Sequence, residues 1–264
     1  MTSKTTIIAT IGPASEDLET IKKMLEKNVD MFRLNFSWGT HEWHGGLIQK
    51  IREAEKSLNK KVYIMQDLSG PRVSDENGHH FGGKENVDAV TEKDIDDLHF
   101  GIQNNVDYIA MSFVGGVKDV QRIKKIIQEK NGTQKIISKI ERRVAVQNLE
   151  SIINESDGVI VARGDLGNEY PLEEIPFIQH KIINKANELD KPVILATQML
   201  YSMVENKIPT RAEVSDVAYA IIDGATGLLV SDETAKGKNP IETVEFIEKI
   251  AIKAEEYKND VLIG

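Results

Sequence analysis

The sequence contains no cysteine. This absence excludes a disulfide framework, a zinc site built from thiolates and a thiol nucleophile. No apolar run is long enough to span a membrane, and the residues after Met1 lead directly into a strand-like run without a signal peptide. These absences together predict a cytoplasmic protein that is not inserted in a membrane.

Basic residues are outnumbered by acidic ones. The 33 Lys and Arg residues face 42 Asp and Glu residues, so the formal net charge is -9 and the pI is about 5.3. An acidic chain is a poor partner for nucleic acid or an anionic membrane, although a local basic pocket remains compatible with it. The length of 264 residues suits one large domain or two small ones, and a hydrophobic fraction of 40% is enough for a sizeable core.

Apolar strand-like segments alternate with amphipathic helical segments along the whole chain. Eight such strands are predicted at residues 6–11, 31–36, 62–66, 108–113, 135–140, 158–162, 193–196 and 227–230. Strict alternation favours parallel strands with right-handed crossovers. Eight units in this length predict a single α/β domain over residues 1–264, a (β/α)₈ TIM barrel, with a doubly wound open sheet as the alternative. Residues 68–90, rich in Gly, Asn, Asp and His, are predicted to form a loop.

Charged residues follow two neighbouring predicted strands. Lys139 and Glu141 share one face where the fifth strand ends, and Arg163 and Asp165 share one face after the sixth. Two carboxylates and a lysine at adjacent strand ends suit a divalent cation and an anionic substrate. The alternative is that these are solvated charges of two turns.

Seven segments of the chain resemble the catalytic barrel of the pyruvate kinase family. They run through nearly the whole sequence in family order: TIGPAS (10–15), RLNFS (33–37), SKIE (138–141), VARGDLG (161–167), ATQML (196–200), PTRAE (209–213) and ETAKG (233–237). The resemblance implies the same barrel fold. It also implies a homo-oligomer, because the family assembles through this barrel among other contacts.

The resemblance assigns roles to individual residues. It implies Mg²⁺ or Mn²⁺ held by Glu141 and Asp165, where the metal would chelate the carboxylate and the 2-oxygen of pyruvate or its enolate. Lys139 would lie beside that oxygen as a catalytic group. The backbone N–H groups of Gly164 and Asp165 would bind the substrate carboxylate, and Thr197 would hydrogen-bond the same substrate as a catalytic and binding residue.

Four further positions match ligand-binding positions of the family. Asn35, Ser37 and Asp67 match residues that bind a monovalent cation such as K⁺, and Arg33 matches a catalytic, phosphate-binding arginine. The alternatives are a salt bridge between Arg33 and Asp67, and a hydrogen-bonded network that only supports this arginine.

The sequence also departs from the family pattern. A whole lid domain follows strand three in the family, where this chain has only the loop, and the family's regulatory domain would follow the last helix, where this sequence stops. The family histidine after the second strand is Trp38, the arginine after the fourth is Gly115, and Asp232 replaces a glycine. The loop reads Arg72-Val73-Ser74 where the family has an acid followed by an arginine, so the alignment there is open.

These departures weaken the nucleotide side of the site more than the pyruvate side. The loop's acidic residues, Asp75, Glu76, Glu85 and Asp88, outnumber its basic residues, Arg72 and Lys84. We therefore predict an enzyme that forms or uses a pyruvate enolate, favoured as a carbon–carbon lyase, aldolase or decarboxylase acting on a 2-oxo acid. The first alternative is a minimal pyruvate kinase that converts phosphoenolpyruvate and ADP to pyruvate and ATP. The second is a non-catalytic barrel that binds a metabolite.

Overall fold

The computed structural model of the protein describes residues 2–75, 78–81 and 88–263. Its strands are β1 (Thr6–Thr10), β2 (Met31–Asn35), β3 (Tyr63–Asp67), β4 (Arg72–Asp75), β5 (Gly78–Phe81), β6 (Tyr108–Met111), β7 (Lys135–Ile140), β8 (Gly158–Ala162), β9 (Val193–Ala196) and β10 (Gly227–Val230). Eight of them form a closed barrel in the order β1-β10-β9-β8-β7-β6-β3-β2. The predicted (β/α)₈ fold is confirmed.

The α-helices follow the strands in the predicted alternation. They are α1 (Leu18–Glu26), α2 (His41–Leu58), α3 (Glu92–Gln103), α4 (Val117–Glu129), α5 (Arg143–Gln147), α6 (Leu149–Glu155), α7 (Arg163–Glu169), α8 (Ile175–Glu188), α9 (Arg211–Asp223), α10 (Asp232–Ala235) and α11 (Pro240–Ile263). Within the described ranges, no helix is long and apolar enough to cross a membrane.

Three local features differ from the sequence-based expectation. The predicted loop at 68–90 contains an antiparallel hairpin of β4 and β5, because turn-forming residues between two short segments are also what a hairpin needs. The alternation predicts one helix after the fifth strand, but two helices, α5 and α6, follow β7 and meet at Asn148. The charged turn after β8 is itself helical, as α7. Of the loop charges weighed above, Glu76, Lys84, Glu85 and the side chain of Asp75 lie outside what the structure describes.

The chain divides into two compact units. The first consists of residues 1–34, 42–64 and 194–264, and within it β1 pairs with β2 and β10 in parallel register. The second consists of residues 35–41 and 65–193. Within it β3, β6, β7 and β8 are successive parallel neighbours, so the carboxyl ends of these four strands lie side by side.

The hydrophobic core consists of strands that are buried on both faces and of the inward-facing sides of the helices around them. Every residue of β8 is buried, as expected for a parallel strand covered by helices. Helix α4 turns Val120, Ile123 and Ile127 inward at helical spacing. The buried strands thus position the polar side chains at their carboxyl ends.

Candidate active site

A buried polar cluster lies at the carboxyl ends of β3, β6, β7 and β8 in the second unit. Its side chains come from the end of β3 (Asp67), the residue after β6 (Ser112), β7 itself (Lys139), the residue after β7 (Glu141) and the first turn of α7 (Asp165). Strand alternation turns Lys139 and Glu141 to the same side, as predicted. The structure therefore brings both predicted metal ligands and the predicted catalytic lysine into one cluster.

Lys139 is the central cation of this cluster. Its Nζ lies 3.0 Å from Glu141 Oε1 and 3.2 Å from Asp67 Oδ1, and it donates a hydrogen bond of 2.8 Å to Ser112 Oγ. The residue is only 6% exposed. In a buried position an ammonium group needs such partners, because it has lost most of its hydration.

Glu141 is held from two sides. Its Oε2 accepts a 2.6 Å hydrogen bond from the backbone N–H of Phe113, which is positioned by an unusual left-handed backbone with φ of 55°. Its buried Oε1 has no hydrogen-bond partner among the described residues, although Lys139 Nζ is near. The contact with the lysine is thus an ion pair without hydrogen-bond geometry, and Oε1 keeps lone pairs for a further ligand.

The Asp165 carboxyl has an unusual titration behaviour. Burial raises its pKa, and the neighbouring charge of Glu141 raises it further, to about 7, against the opposing effects of Lys139 and Arg72. A hydrogen bond with Glu141 acts in the same direction. Ionising both neighbouring carboxyl groups costs electrostatic free energy unless a cation lies between them.

These properties fit Mg²⁺ or Mn²⁺. Glu141 and Asp165 offer hard carboxylate oxygens as metal ligands, and Glu141 Oε1 has no hydrogen-bond partner among the described residues. A divalent cation would also relieve the repulsion between the two carboxylates. No group of three or more His, Cys, Asp or Glu residues with metal-binding geometry occurs in the part of the chain that the structure describes. The protein would thus supply two carboxylates, with water and substrate completing the coordination, which is a common arrangement for Mg²⁺.

The sequence-based site left out two groups that belong to the cluster. Arg72 has one terminal nitrogen 3.7 Å from Asp165 Oδ2, and the Phe113 N–H binds Glu141. Arg72 directly follows the Gly70-Pro71 turn, where the family comparison was ambiguous. The N–H of Phe113 could not be found from residue types, because every non-proline residue has one.

The other predicted site residues of the second unit are Gly164, which was expected to bind the substrate carboxylate, and Asn35 and Ser37, which with Asp67 were expected to bind a monovalent cation. Gly164 lies in the first turn of α7, where backbone N–H groups lack partners within the helix. The Asn35 side-chain oxygen accepts a hydrogen bond from the Ser37 N–H at 3.1 Å. The N–H of Phe36, between these two residues, donates to the carbonyl of Asp67 at 2.9 Å.

Arg33 and Thr197 belong to the first unit. Arg33 donates a hydrogen bond to Thr10 Oγ1 at 3.1 Å. Thr197 follows β9 with a φ of 80°, a strained conformation for a β-branched residue and one that recurs at functional sites. Nearby in the chain, the N–H of Leu200 donates to Glu233 Oε1 at 3.2 Å. Their predicted roles toward substrate stay predictions.

Comparison with known proteins places this chain among a set of close relatives. The sequence matches the family described as pyruvate kinase, barrel domain, over residues 2–86 and 74–244. It is 37% identical to a pyruvate kinase of Thermococcus litoralis over 98% of this chain, and 37% identical to one of Bacillus licheniformis over 97%. It is 34% identical to pyruvate kinase 2 of Synechocystis over 96% of its length.

The relatives are longer than this chain. The chain covers 71% of the Thermococcus litoralis protein, but only 58% and 57% of the other two. The Thermococcus litoralis match extends over 337 aligned residues, more than the 264 of this chain, so the relative carries inserted residues inside the matched region. The two matched segments overlap at residues 74–86, which include part of the β4–β5 hairpin.

The relatives correct one sequence-based prediction. The preference for a carbon–carbon lyase, aldolase or decarboxylase is wrong, since the relatives that match nearly the whole chain are named pyruvate kinases. The structure shows a physical weakness of that preference. Asp232 is one of the departures that weighed against nucleotide binding, but it forms an exposed 3.0 Å ion pair with Lys236. Arg72 also brings a cation to the acidic cluster.

Proposed function

This chain belongs to the pyruvate kinase family, and from that premise we propose that its barrel transfers a phosphoryl group between phosphoenolpyruvate and ADP, forming pyruvate and ATP. The observation that carries the proposal is the buried cluster around Lys139. It combines one ammonium group with the acid pair of Glu141 and Asp165 at the carboxyl ends of neighbouring barrel strands, where barrel enzymes have their active sites.

Lys139 is suited to the charge that develops in this reaction. When the phosphoryl group leaves phosphoenolpyruvate, the electron pair of the broken bond stays on the 2-oxygen, which becomes an enolate. A buried ammonium, held in place by Ser112 and two carboxylates, stabilises that charge without reorganisation of solvent. We propose that the same lysine stabilises the enolate until carbon 3 is protonated.

Glu141 and Asp165 would hold Mg²⁺ or Mn²⁺, which supplies Lewis-acid stabilisation of anionic oxygens when bound. The N–H groups of Gly164 and Asp165, in the first turn of α7, would receive the substrate carboxylate. Asn35, Ser37 and Asp67 remain our proposed ligands for K⁺. Asp67 forms an ion pair with Lys139 and accepts a hydrogen bond from Ser112. A bound K⁺ would therefore share the Asp67 carboxylate with the lysine.

We further propose that the β4–β5 hairpin stands where the family carries its lid domain. The overlap of the two matched segments at residues 74–86 supports this assignment. The domain organisation would then be a single barrel with a short hairpin. Closure over the nucleotide would be less complete than in the longer relatives, so a high KM for ADP is the expected consequence.

The proposal is tested by ATP formation from phosphoenolpyruvate and ADP with Mg²⁺ and K⁺. Glu141→Gln should abolish transfer and weaken Mn²⁺ binding in a direct titration, while circular dichroism shows an intact fold. Glu150→Gln, at an exposed position, is the matched control and should leave both properties unchanged. Absence of ATP formation by the wild-type protein at millimolar ADP would refute the proposed activity.

A further inference from the structure

The motif ETAKG (233–237) begins with a buried acid to which the family resemblance gives no role. Glu233 and Thr234 lie in the short helix α10, which follows β10. Glu233 is 1% exposed and Thr234 is fully buried. Burying a carboxylate is costly unless hydrogen-bond donors or a cation meet its charge, so the donors around Glu233 indicate what the residue does.

The Glu233 carboxyl group connects two loops of the first unit. Its Oε2 accepts a 2.7 Å hydrogen bond from the N–H of Ser231, directly after β10. Its Oε1 accepts one of 3.2 Å from the N–H of Leu200, in the loop after β9. Burial raises the pKa of Glu233, and the N–H groups of Glu233 itself, Ser231 and Leu200 oppose this effect. Backbone N–H groups from both loops thus hold the carboxylate.

The loop that is bound by Oε1 contains the predicted substrate ligand Thr197. Residues 197–200, the Thr197 segment, follow β9. Thr197 and Gln198 have φ values of 80° and 55°, and two successive left-handed residues that are not glycine persist only where their surroundings enforce this conformation. Leu200 is fully buried, so its N–H needs a protein partner. Glu233 supplies that partner and fixes the end of the Thr197 segment.

The helix that carries Glu233 is itself anchored to β1. Thr234 Oγ1 accepts a 3.1 Å hydrogen bond from the N–H of Thr10 and donates one of 2.9 Å to the carbonyl of Thr10. Gly12 approaches this helix so closely that a Cβ would lie 2.5 Å from the carbonyl oxygen of Ala235, which favours glycine there. Glu233 therefore holds the Thr197 segment from a fixed position.

We infer that Glu233 is a positioning residue that keeps the Thr197 segment in its substrate-binding conformation, an inference that rests on the proposed function. It acts through the Leu200 N–H and not on the substrate directly. Glutamine in its place would keep the size of the side chain, but its amide oxygen accepts from one N–H group while its NH₂ group meets the other donor. The Thr197 segment would then lose its restraint, and the Thr197 hydroxyl group would move from its place.

The test is a double-mutant cycle, read by titration calorimetry of phosphoenolpyruvate with Mn²⁺ present. Glu233→Gln and Thr197→Ala should each weaken binding by about 10-fold, the lower end of the range for hydrogen bonds to charged groups. Because Glu233 acts through Thr197, the double variant should bind within about threefold of Thr197→Ala alone. Independent contributions would instead multiply to a loss of about 100-fold.

Glu213→Gln is the matched control. Glu213 likewise accepts hydrogen bonds from two backbone N–H groups, those of Ser202 and Thr210, which lie outside the Thr197 segment. This variant should lower the stability in urea unfolding while it changes the affinity for phosphoenolpyruvate by less than about twofold. In the ATP-forming assay, Glu233→Gln should raise the KM for phosphoenolpyruvate and leave the KM for ADP unchanged.

A second variant tests the inference if Glu233→Gln does not fold. Glu233→Asp keeps the charge and the contact with the nearby Ser231 N–H, but its side chain is one methylene too short to reach the Leu200 N–H as well. It should weaken binding of phosphoenolpyruvate by about threefold or more, and the same cycle with Thr197→Ala should again be non-additive.

Four results would each overturn the inference: wild-type affinity in the Glu233 variants, multiplied losses in the double variants, wild-type affinity in Thr197→Ala, or an equal loss of affinity in Glu213→Gln. Because binding is read without ADP, a wild-type protein that binds phosphoenolpyruvate but forms no ATP would refute the proposed function alone. A wild-type protein that does not bind phosphoenolpyruvate would refute both.

Discussion

Replacement of Lys139 by methionine should destabilise the metal-free protein strongly and in a pH-dependent way. The substitution keeps the apolar length of the side chain but removes a cation that lies 3.0 Å from Glu141 and 3.2 Å from Asp67. Both carboxylates are almost fully buried, at 1% and 2% exposure. They would lose their partner in a place where water cannot replace it.

The magnitude follows from two limits. At an effective dielectric constant of about 20, one charge pair at 3 Å is worth about 5 kcal/mol, and breaking a buried pair typically costs about 3–5 kcal/mol. The loss is capped by protonation, since neutralising a carboxyl with an ordinary pKa near 4 costs about 4 kcal/mol at pH 7 and about 1.4 kcal/mol less per pH unit below that. We expect a loss of about 3–4 kcal/mol at pH 7.5 and about 1–2 kcal/mol at pH 5.5.

The sign of the pH dependence is fixed by linkage. Without the lysine, the two buried carboxylates have no counter-ion, and protonation relieves this cost, so the variant gains relative stability at acid pH and loses it as the pH rises. Urea unfolding at pH 5.5 and 7.5 measures the difference, and millimolar Mg²⁺ should restore part of the loss at pH 7.5. Lys253→Met, which breaks an exposed pair with Glu256, is the control and should show no such pH dependence. Equal stability of Lys139→Met and wild type at pH 7.5 would refute the reasoning.

Three further predictions concern other parts of the molecule. Burial and the charge of Glu141 raise the pKa of Asp165 to about 7, so the stability that this group gives the metal-free protein is present at acid pH and lost as the pH rises through 7. Mn²⁺ affinity should fall about tenfold per pH unit below 7 and level off above it. An Mn²⁺ affinity that stays constant from pH 5.5 to 8.5 would contradict this. Glu213 accepts hydrogen bonds from Ser202 and Thr210 in a capping box, so Glu213→Ala should cost about 1–2 kcal/mol in urea unfolding, against no change for a surface control such as Glu256→Ala. The large exposed side chains Leu172 and Phe177, 81% and 75% exposed, suit the expected homo-oligomer, which light scattering at tens of micromolar checks; a monomer there would reject it.

The sequence by itself determined the fold and indicated three members of the buried cluster. Eight buried apolar strands in alternation with helices specify a parallel barrel, because the pattern is local and repeats in every unit. Lys139, Glu141 and Asp165 could be chosen as site residues from their places after two neighbouring strands. The resemblance to the pyruvate kinase family supplied the prediction of an enzyme that uses pyruvate or phosphoenolpyruvate, which the relatives support. Where the sequence argument weighed charges without their partners, as with Asp232, it favoured the wrong reaction.

The tertiary structure decided which of these groups are in contact and how their surroundings change the pKa of Asp165. Two partners of Lys139, Asp67 and Ser112, lie 72 and 27 residues earlier in the chain and meet the lysine through the register of the barrel. The unusual pKa of Asp165 depends on burial and on the distance to Glu141, neither of which is encoded in residue spacing. The place of Arg72 depends on a left-handed turn at Gly70 and on the ring of Phe113 more than forty residues later. Such contacts arise from three-dimensional packing, so the sequence alone left Arg72 unassigned while the folded chain places it beside the acid pair.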